Sequence, residues 1–511
     1  MPKKNKPQEP KGNLSRKTRK FLLLTLIAYI VLSLLLFDLK LFTGGDNAKY
    51  IILAQSIIEG KGYKDVYMPE EPAHTQYPFG FPLLLAFFLL IFGSNIVALK
   101  SAILLTGLGA VYFMYKISED LFRDKTNLIM LFFISVPVFI TYNHWVLSEM
   151  PFLFFSLGGL LFFVKAQTGK KFYYYVSFFF AIYAFFIRTS GVSLIIAMLL
   201  LLVLKKQYRY LTILLLVFLA VFIPWQIRNA SVPTQDGYIN QLLAKNPYQM
   251  ELGRIGLSDF MSRAWDNFVL YYFTILPMTL LPFFRSAGLL AISGLTFILL
   301  TIIGFIKKIK SLTIIELYFI LGTIILLAWP KVWSSDRFIL PLLPIFIIYI
   351  FFAIVWLAEK LKSKYLPLVI IGIFIILNAM AIVPMARDSI ANNLRYLKGD
   401  KYAGYTTDWR RYFELIEWIK ENIPKGQVVM ARKPEFVFLL SKHKSFTYPL
   451  TTDHNKIKDA ITKTDYVLFD NFFWTGTTQR YLLPVIQEAP ENYEIVYQTK
   501  KPEFFLLKVK K

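Results

Sequence analysis

Long apolar segments alternate with short polar ones along most of the chain. Runs of about 18 to 22 apolar residues match the length of a helix that crosses a bilayer. We predict eleven spans, near 21–42, 97–116, 127–142, 151–166, 172–187, 192–204, 209–226, 286–306, 312–329, 337–357 and 365–384. The pattern therefore predicts a mainly α-helical, polytopic transmembrane bundle.

Two further apolar segments, 79–93 and 266–284, do not fit this alternation if either crosses alone. The first reads FGFPLLLAFFLLIFG and is bounded by Pro and Gly. Its length is typical of an interfacial or re-entrant segment. We expect both segments to be embedded on the outer side without crossing. If both cross, the count becomes thirteen and the region between them inverts.

Basic residues orient the predicted spans. The tail 1–20 carries eight Lys or Arg residues and one acid, Glu9. Ahead of a long apolar helix, such a tail is typical of the cytoplasmic side rather than of a nucleic-acid-binding segment. With eleven spans, the basic clusters of the short loops fall on that same side. No small-residue cleavage site follows the first span, which we expect to be an uncleaved anchor.

The pattern changes at Ala386. The remainder is polar and contains one amphipathic helix, DWRRYFELIEWIKENIP, and strand patterns in GQVVMAR, DYVLFDN, YEIVYQT and EFFLLKV. Helices between strands predict a small α/β domain. We therefore predict a transmembrane catalytic domain over 21–385 and a soluble extracytoplasmic α/β domain over 386–511.

The composition agrees with that of a membrane protein and excludes several kinds of functional site. Hydrophobic residues make up 56% of the chain and aromatic residues 17%, above the usual range of soluble proteins. The chain contains no cysteine. Disulfides, thiolate metal sites and thiol nucleophiles are therefore excluded.

Charged residues gather at the outer ends of the predicted spans and leave the span centres almost free of charge. They are Asp46, Glu149, Arg188, Arg228 and Arg337. An ion-coupled transporter usually places such groups near the middle of its helices. Five separate segments bringing charge to one membrane level indicate a single site built from carboxylates and guanidiniums.

A sugar carried on a polyprenyl phosphate suits this mixture of groups. Its phosphate is a good leaving group whose charge arginines can hold. The acceptor hydroxyl must lose a proton as it attacks, so one carboxylate is needed as general base. A glycoside hydrolase would instead need two carboxylates that flank the bond. Asp46, on the glycine turn of LFTGGDNAKY, is the candidate base.

Several motifs resemble the GT-C glycosyltransferases, in the protein O-mannosyltransferase and aminoarabinose-transferase superfamily (glycosyltransferase family 39-like). GDNAKYIILAQSIIEGKGY and YPFGFPLLLAFFLLIFG are similar to the first outer loop of that group, and SEMPFLFF, PWQIRN and RFILPLLP to its later segments. The resemblance covers about 20–385. It implies that Asp46 is the catalytic base, that Glu149 is the second acidic residue, and that transfer from the lipid-linked donor inverts the sugar. It implies no firm cofactor, although a divalent cation would be compatible with it.

Simpler roles stay open for the same residues. Asp46 can cap the helix that begins near Asn47, and Glu149 can open the next span. Arg188, Arg228 and Arg337 can be interfacial anchors instead of a donor-phosphate clamp. Further candidate substrate contacts are Lys49, Tyr50, Tyr77 and His144. His74 and His144 lie in separate loops and are weak grounds for a metal, so we predict no metal ligands.

The sequence leaves two classes of function. The first is a membrane glycosyltransferase with a polyprenyl-phosphate sugar donor and a glycan, lipid or protein acceptor. It would work at the outer face of a membrane, which we predict to be the bacterial plasma membrane. The second is a non-enzymatic lipid or glycan transporter or flippase, which should show paired halves or broken helices that we do not find. Membrane lipids are expected partners in both cases and nucleic acid in neither.

Overall fold

The structure is a computed structural model that describes residues 16–232, 238–309 and 312–510. Most of the predicted basic tail, 1–15, lies outside the described residues. The helices of the bundle are α1 (Arg16–Leu36), α2 (Asn47–Ile58), α3 (Gly80–Phe92), α4 (Ile96–Phe122), α5 (Thr126–Ser135), α6 (Pro137–Thr141), α7 (Glu149–Thr168), α8 (Tyr173–Ile187), α9 (Val192–Leu204), α10 (Tyr208–Ala230), α11 (Tyr238–Leu243), α12 (Leu257–Leu270), α13 (Leu276–Leu280), α14 (Ala287–Lys308), α15 (Ile314–Ala328), α16 (Asp336–Ile339), α17 (Leu343–Lys360) and α18 (Leu366–Leu397).

Seven helical segments of the described residues are long and apolar enough to cross a membrane, and four shorter apolar helices accompany them. A helix satisfies its own backbone hydrogen bonds, which a bilayer core demands. Polar side chains mark several helix starts: Asn95 accepts a hydrogen bond from the Val97 N–H at 2.9 Å, and Thr313 and Glu316 form a capping box on α15. The predicted polytopic helical bundle is confirmed.

Contacts between α1 and α4 show that the two helices run in opposite directions. Lys100, near the start of α4, donates to the Asp38 carbonyl at 2.9 Å, just beyond the end of α1. Tyr115, near the end of α4, donates to the Thr18 carbonyl at the start of α1. The chain between them, including α3 over 80–92, therefore leaves and returns at one end of the bundle. We call this end, marked by Asp38, the site end.

Segment 266–284 is not one apolar helix. It begins within α12, passes through a π-helical turn at Tyr271–Ile275 and continues as α13. Asn267 donates to the carbonyls of Leu327 and Trp329 at 2.8 and 2.7 Å, which ties α12 to the end of α15. One face of α12 exposes an apolar stripe formed by Leu257, Met261, Trp265 and Val269. Such an amphipathic helix is suited to lie along an interface rather than across it.

The C-terminal part folds around one mixed sheet. Its elements are α19 (Thr407–Asn422), β1 (Val429–Met430), α20 (Pro434–Ser441), β2 (Ser445–Phe446), α21 (His454–Thr462), β3 (Tyr466–Phe469), α22 (Leu483–Glu488), β4 (Tyr493–Gln498) and β5 (Phe505–Val509). The strand order is β2-β1-β3-β5-β4, with β2, β1 and β3 parallel and the other pairings antiparallel. The four predicted strands and the amphipathic helix are present, and β2 is an addition.

The C-terminal domain rests on the loop that follows α2. The Ser445 N–H donates to the Tyr67 carbonyl at 2.8 Å, and Lys444 donates to the Val66 carbonyl at 2.6 Å. Lys49 of α2 forms an ion pair with Glu435 of α20 at 3.2 Å. The domain therefore closes over the site end of the bundle.

Candidate active site

A cavity of about 680 Å³ lies between the site end of the bundle and the C-terminal domain. Its volume is in the range of ligand-binding pockets. Its lining includes residues of α2, the loop after it, the turn before α9, α15, the segment around α16 and the start of α20. Polar and apolar side chains both line it.

Asp46 stands at the N-cap position of α2, which begins at Asn47 as predicted. Its side chain nevertheless makes no capping hydrogen bond to the described backbone. The preceding Gly45 has a φ of +61°, and a Cβ there would lie 2.7 Å from Nη1 of Arg337. Glycine is therefore required for this turn, which directs the carboxylate toward Arg337 and the cavity.

The Asp46 carboxylate lies 3.5 Å from Nη2 of Arg337, and about a third of its side chain is exposed to the cavity. Burial raises its pKa, but Arg337, a hydrogen bond from Tyr77, Lys433 and Lys49 together lower it below the ordinary value. The group is therefore an ionised acceptor of protons at neutral pH. It can take a proton from a hydroxyl group that enters the cavity.

Glu149 lies behind this pair, at the first position of α7, and is fully buried. Its Oε1 accepts hydrogen bonds from Nη1 of Arg188 and Nε of Arg337, both at 2.6 Å. Its Oε2 has no hydrogen-bond partner among the described residues. Because Arg188 and Arg337 both line the cavity, Glu149 holds two cavity-lining guanidiniums through one carboxylate oxygen.

Lys49, Tyr50 and Tyr77 also line the cavity. The Lys49 ammonium lies 5.5 Å from the ring of Tyr67 and pairs with Glu435. The rings of Tyr50 and Tyr77 lie 5.1 Å apart, and Tyr77 bonds Asp46. The three candidate substrate contacts on this side are thus within one wall of the site.

Arg228 lies apart from Arg188 and Arg337. Its guanidinium donates to the carbonyls of Tyr63, at 2.6 Å, and His74, and stacks 5.0 Å from the ring of Trp225. It is not among the described residues that line the cavity. The end of α10 meets the loop after α2 at this point, so the guanidinium holds the loop instead of facing the cavity.

The two candidate histidines, His74 and His144, are not among the described residues that line the cavity. His144 is buried against Phe37 and Trp145, and burial lowers its pKa to about 4. His74 is 3.0 Å from Asp65 and accepts a hydrogen bond from the Tyr77 N–H at 2.8 Å, which positions Tyr77. The described residues contain no group of three His, Cys, Asp or Glu side chains that could hold a metal ion.

The C-terminal domain also contributes to the cavity lining, and its charged residues there are Arg432, Lys433 and Glu435. Sequence reasoning did not find them, because the packing of that domain on the bundle is a tertiary feature. The signal that could have drawn notice is the basic pair in ARKPEF, directly before the proline that starts α20.

The membrane-spanning helices and the charged cavity at one end define a polytopic integral membrane protein. Over residues 76–227 the chain matches the family described as dolichyl-phosphate-mannose-protein mannosyltransferase. Comparison with curated protein sequences finds no significant match.

Solved structures extend the likeness over nearly the whole chain. ArnT from Cupriavidus metallidurans in the apo state has a TM-score of 0.61 at 11% identity, covering 96% of this chain and 98% of ArnT. ArnT bound to undecaprenyl phosphate has a TM-score of 0.59 at 12% identity, with the same coverage. The Archaeoglobus fulgidus oligosaccharyltransferase, in complex with Zn and sulfate, has a TM-score of 0.59 at 14% identity, covering 95% of this chain and 73% of that one. The chain therefore shares the fold of these proteins, in agreement with the GT-C resemblance of its sequence.

Proposed function

We propose that the protein is a membrane glycosyltransferase that moves a sugar from a polyprenyl-phosphate donor to an acceptor hydroxyl, with Asp46 as general base. The observation that carries the proposal is the position of Asp46. Its carboxylate is free of the helix cap, faces the cavity and lies 3.5 Å from Arg337. A carboxylate beside a guanidinium at one membrane level suits a reaction that takes up a proton and releases a phosphate.

The arginines would hold the donor phosphate. Arg188 and Arg337 line the cavity and are joined by Glu149. Planar guanidiniums present several N–H groups to phosphate oxygens, and their charge stabilises the phosphate as it departs. Glu149 is then a positioning residue, because its buried carboxylate fixes both guanidiniums. Arg228 is left out of this clamp because two carbonyls occupy it.

The proposed reaction is a single displacement. The acceptor oxygen attacks the anomeric carbon and its proton passes to Asp46. The bond between the anomeric carbon and the phosphate oxygen breaks, and its electron pair leaves with the polyprenyl phosphate. Attack opposite the leaving group inverts the anomeric configuration. No protonation of the leaving group is needed, since a phosphate carries the charge itself.

The comparisons support the choice of donor. One ArnT structure of the same fold is bound to undecaprenyl phosphate, and the matching family is described by a dolichyl-phosphate-linked mannose donor. The acceptor is a hydroxyl on a glycan, a lipid or a protein. We place the N-terminus in the cytoplasm and the C-terminal domain outside the cell, in a bacterial plasma membrane, because the basic loops favour that orientation.

Release of lipid phosphate tests the proposal. Purified protein is incubated with undecaprenyl-phosphate sugars and a mixture of envelope glycans, lipids and proteins from the host cell. We expect free undecaprenyl phosphate and a labelled acceptor to form together. Transfer of the intact donor between two membrane leaflets without cleavage would instead support the transporter class.

A further inference from the structure

The charged side chains at the cavity include more cations than carboxylates. Arg337 and Arg188 share Glu149, Arg337 also faces Asp46, and Lys49 pairs with Glu435. These contacts match three cations with three carboxylates. Two further cations of the lining, Arg432 and Lys433, come from the turn between β1 and α20 and have no ion pair among the described residues.

The surroundings of the two side chains keep them at the cavity wall. Nε of Arg432 donates to Thr477 at 2.9 Å, and its guanidinium lies 6.0 Å from the ring of Trp474. The Lys433 ammonium lies 5.4 Å from the same ring. Burial raises the pKa of Asp470, which Arg432 helps to lower only in part. This carboxylate is fully buried, accepts a hydrogen bond from Thr478 at 2.7 Å, and forms no ion pair with either cation among the described contacts.

We propose that Arg432 and Lys433 form a second oxyanion subsite, supplied by the C-terminal domain, that binds a phosphate group in the cavity. The acids that act on Lys433, Glu435 and Asp46, already pair with Lys49 and Arg337. Two adjacent, partly buried cations are therefore left short of negative charge, which is costly. A bound phosphate supplies that charge, and the start of α20 at Pro434 adds the favourable end of a helix dipole. Burial, together with the neighbouring Arg432 and Lys49, lowers the pKa of Lys433, and Glu435 and Asp46 offset this only in part.

The subsite belongs to the C-terminal domain, whereas the cavity arginines of the bundle, Arg337 and Arg188, lie on α16 and at the end of α8. Lys433 is one of the charges that lower the pKa of Asp46. A phosphate at this position belongs either to the donor lipid or to an anionic acceptor whose hydroxyl is brought to the base. The subsite depends on the proposed function in one respect only, which is the identity of the donor lipid.

Two titrations on the purified full chain test the subsite and distinguish its sources. The variant is Arg432→Gln with Lys433→Gln. The control is Lys456→Gln with Lys500→Gln, which removes the same charge from exposed positions of the same domain. Undecaprenyl phosphate is titrated first. Radiolabelled inorganic phosphate is then titrated with the lipid at saturation.

If the subsite binds the donor, lipid affinity falls about ten- to a hundredfold in the variant and stays unchanged in the control. If the subsite binds an acceptor phosphate, the variant keeps its affinity for the lipid. Wild type and control then bind inorganic phosphate at lipid saturation, and the variant does not. Either result supports the subsite. If the variant and the control bind both undecaprenyl phosphate and inorganic phosphate with the same affinity, the proposal is overturned.

A charge-keeping variant guards against a folding defect. Arg432→Lys with Lys433→Arg should retain most of the phosphate binding at an unchanged melting temperature. If wild type binds phosphate but never releases undecaprenyl phosphate from a sugar donor, the proposed function fails while the subsite stands.

Discussion

Arg337 lies 3.5 Å from Asp46 through Nη2, while its Nε is bonded to the buried Glu149 at 2.6 Å. One guanidinium therefore connects a carboxylate that faces the cavity with one that does not. In the proposed mechanism, the exposed acid exchanges a proton, and the buried acid fixes the guanidinium that would stabilise negative charge. The difference in environment is the ground on which we propose different roles for the two carboxylates.

Gly45→Ala should remove most transfer activity. A Cβ would lie 2.7 Å from Nη1 of Arg337, and the φ of +61° is strained for alanine. The matched control is Gly60→Ala, where φ is +70° but no described atom lies within 4 Å of the new Cβ. We expect the left-handed φ alone to cost each variant about 1–2 kcal/mol of stability. Only Gly45→Ala should lower the transfer rate; equal loss in both would mean that Arg337 does not depend on this turn.

The arginines should separate into two groups. Arg188→Ala and Arg337→Ala should weaken undecaprenyl phosphate binding about ten- to a hundredfold, because each loses charged hydrogen bonds to the phosphate. Lysine at either position should rescue only partly. Calorimetric titration of each purified variant measures the affinity.

Arg228→Ala should leave donor affinity nearly unchanged but speed amide hydrogen exchange in the loop around Tyr63 and His74, because the Arg228 side chain binds the carbonyls of these two residues.

If the Arg188 and Arg337 variants bind the donor as tightly as wild type, those two arginines are interfacial anchors and not a phosphate clamp.

The acid limb of the pH profile should depend on Arg337. The pKa of Asp46 lies below its ordinary value of 3.8, so Asp46 stays ionised as pH falls toward that range and loses its proton-accepting form only below it. In Arg337→Gln the burial effect prevails and the pKa rises. Transfer by the variant should therefore decline at a higher pH than in wild type. Rates measured at saturating donor between pH 4 and 8 check this, and parallel profiles would contradict it.

Cysteine labelling tests the proposed orientation. The chain has no native cysteine, so a single Lys401→Cys reports on the C-terminal domain alone. It should react with an impermeant thiol reagent on intact cells. Lys364→Cys, in the loop between α17 and α18, should react only after permeabilisation. The reverse pattern would invert the proposed topology.

Much of the fold could be predicted because bilayer physics constrains it. Apolar runs of fixed length mark the helices, and charges at helix ends stand out against them. Asp46, Glu149, Arg188 and Arg337 were found in this way. The short strand β2 was missed, because its two residues carry no readable alternation.

Other parts depend on packing that the sequence does not display. Arg228 shares the level of the other arginines, but its contacts with the loop after α2 decide where the guanidinium points. His144 is buried behind Phe37 rather than in the cavity. Arg432 and Lys433 reach the cavity only because the C-terminal domain docks on that loop.

Asp46→Asn tests the central claim most directly. The amide is nearly isosteric with the carboxylate but cannot accept the proton of the acceptor hydroxyl. Purified wild type and variant are compared for undecaprenyl phosphate affinity, melting temperature and release of undecaprenyl phosphate from a sugar donor that wild type uses. We predict a folded variant with donor affinity close to wild type and turnover reduced at least a hundredfold. Turnover near that of wild type would contradict the assignment of Asp46 as the base.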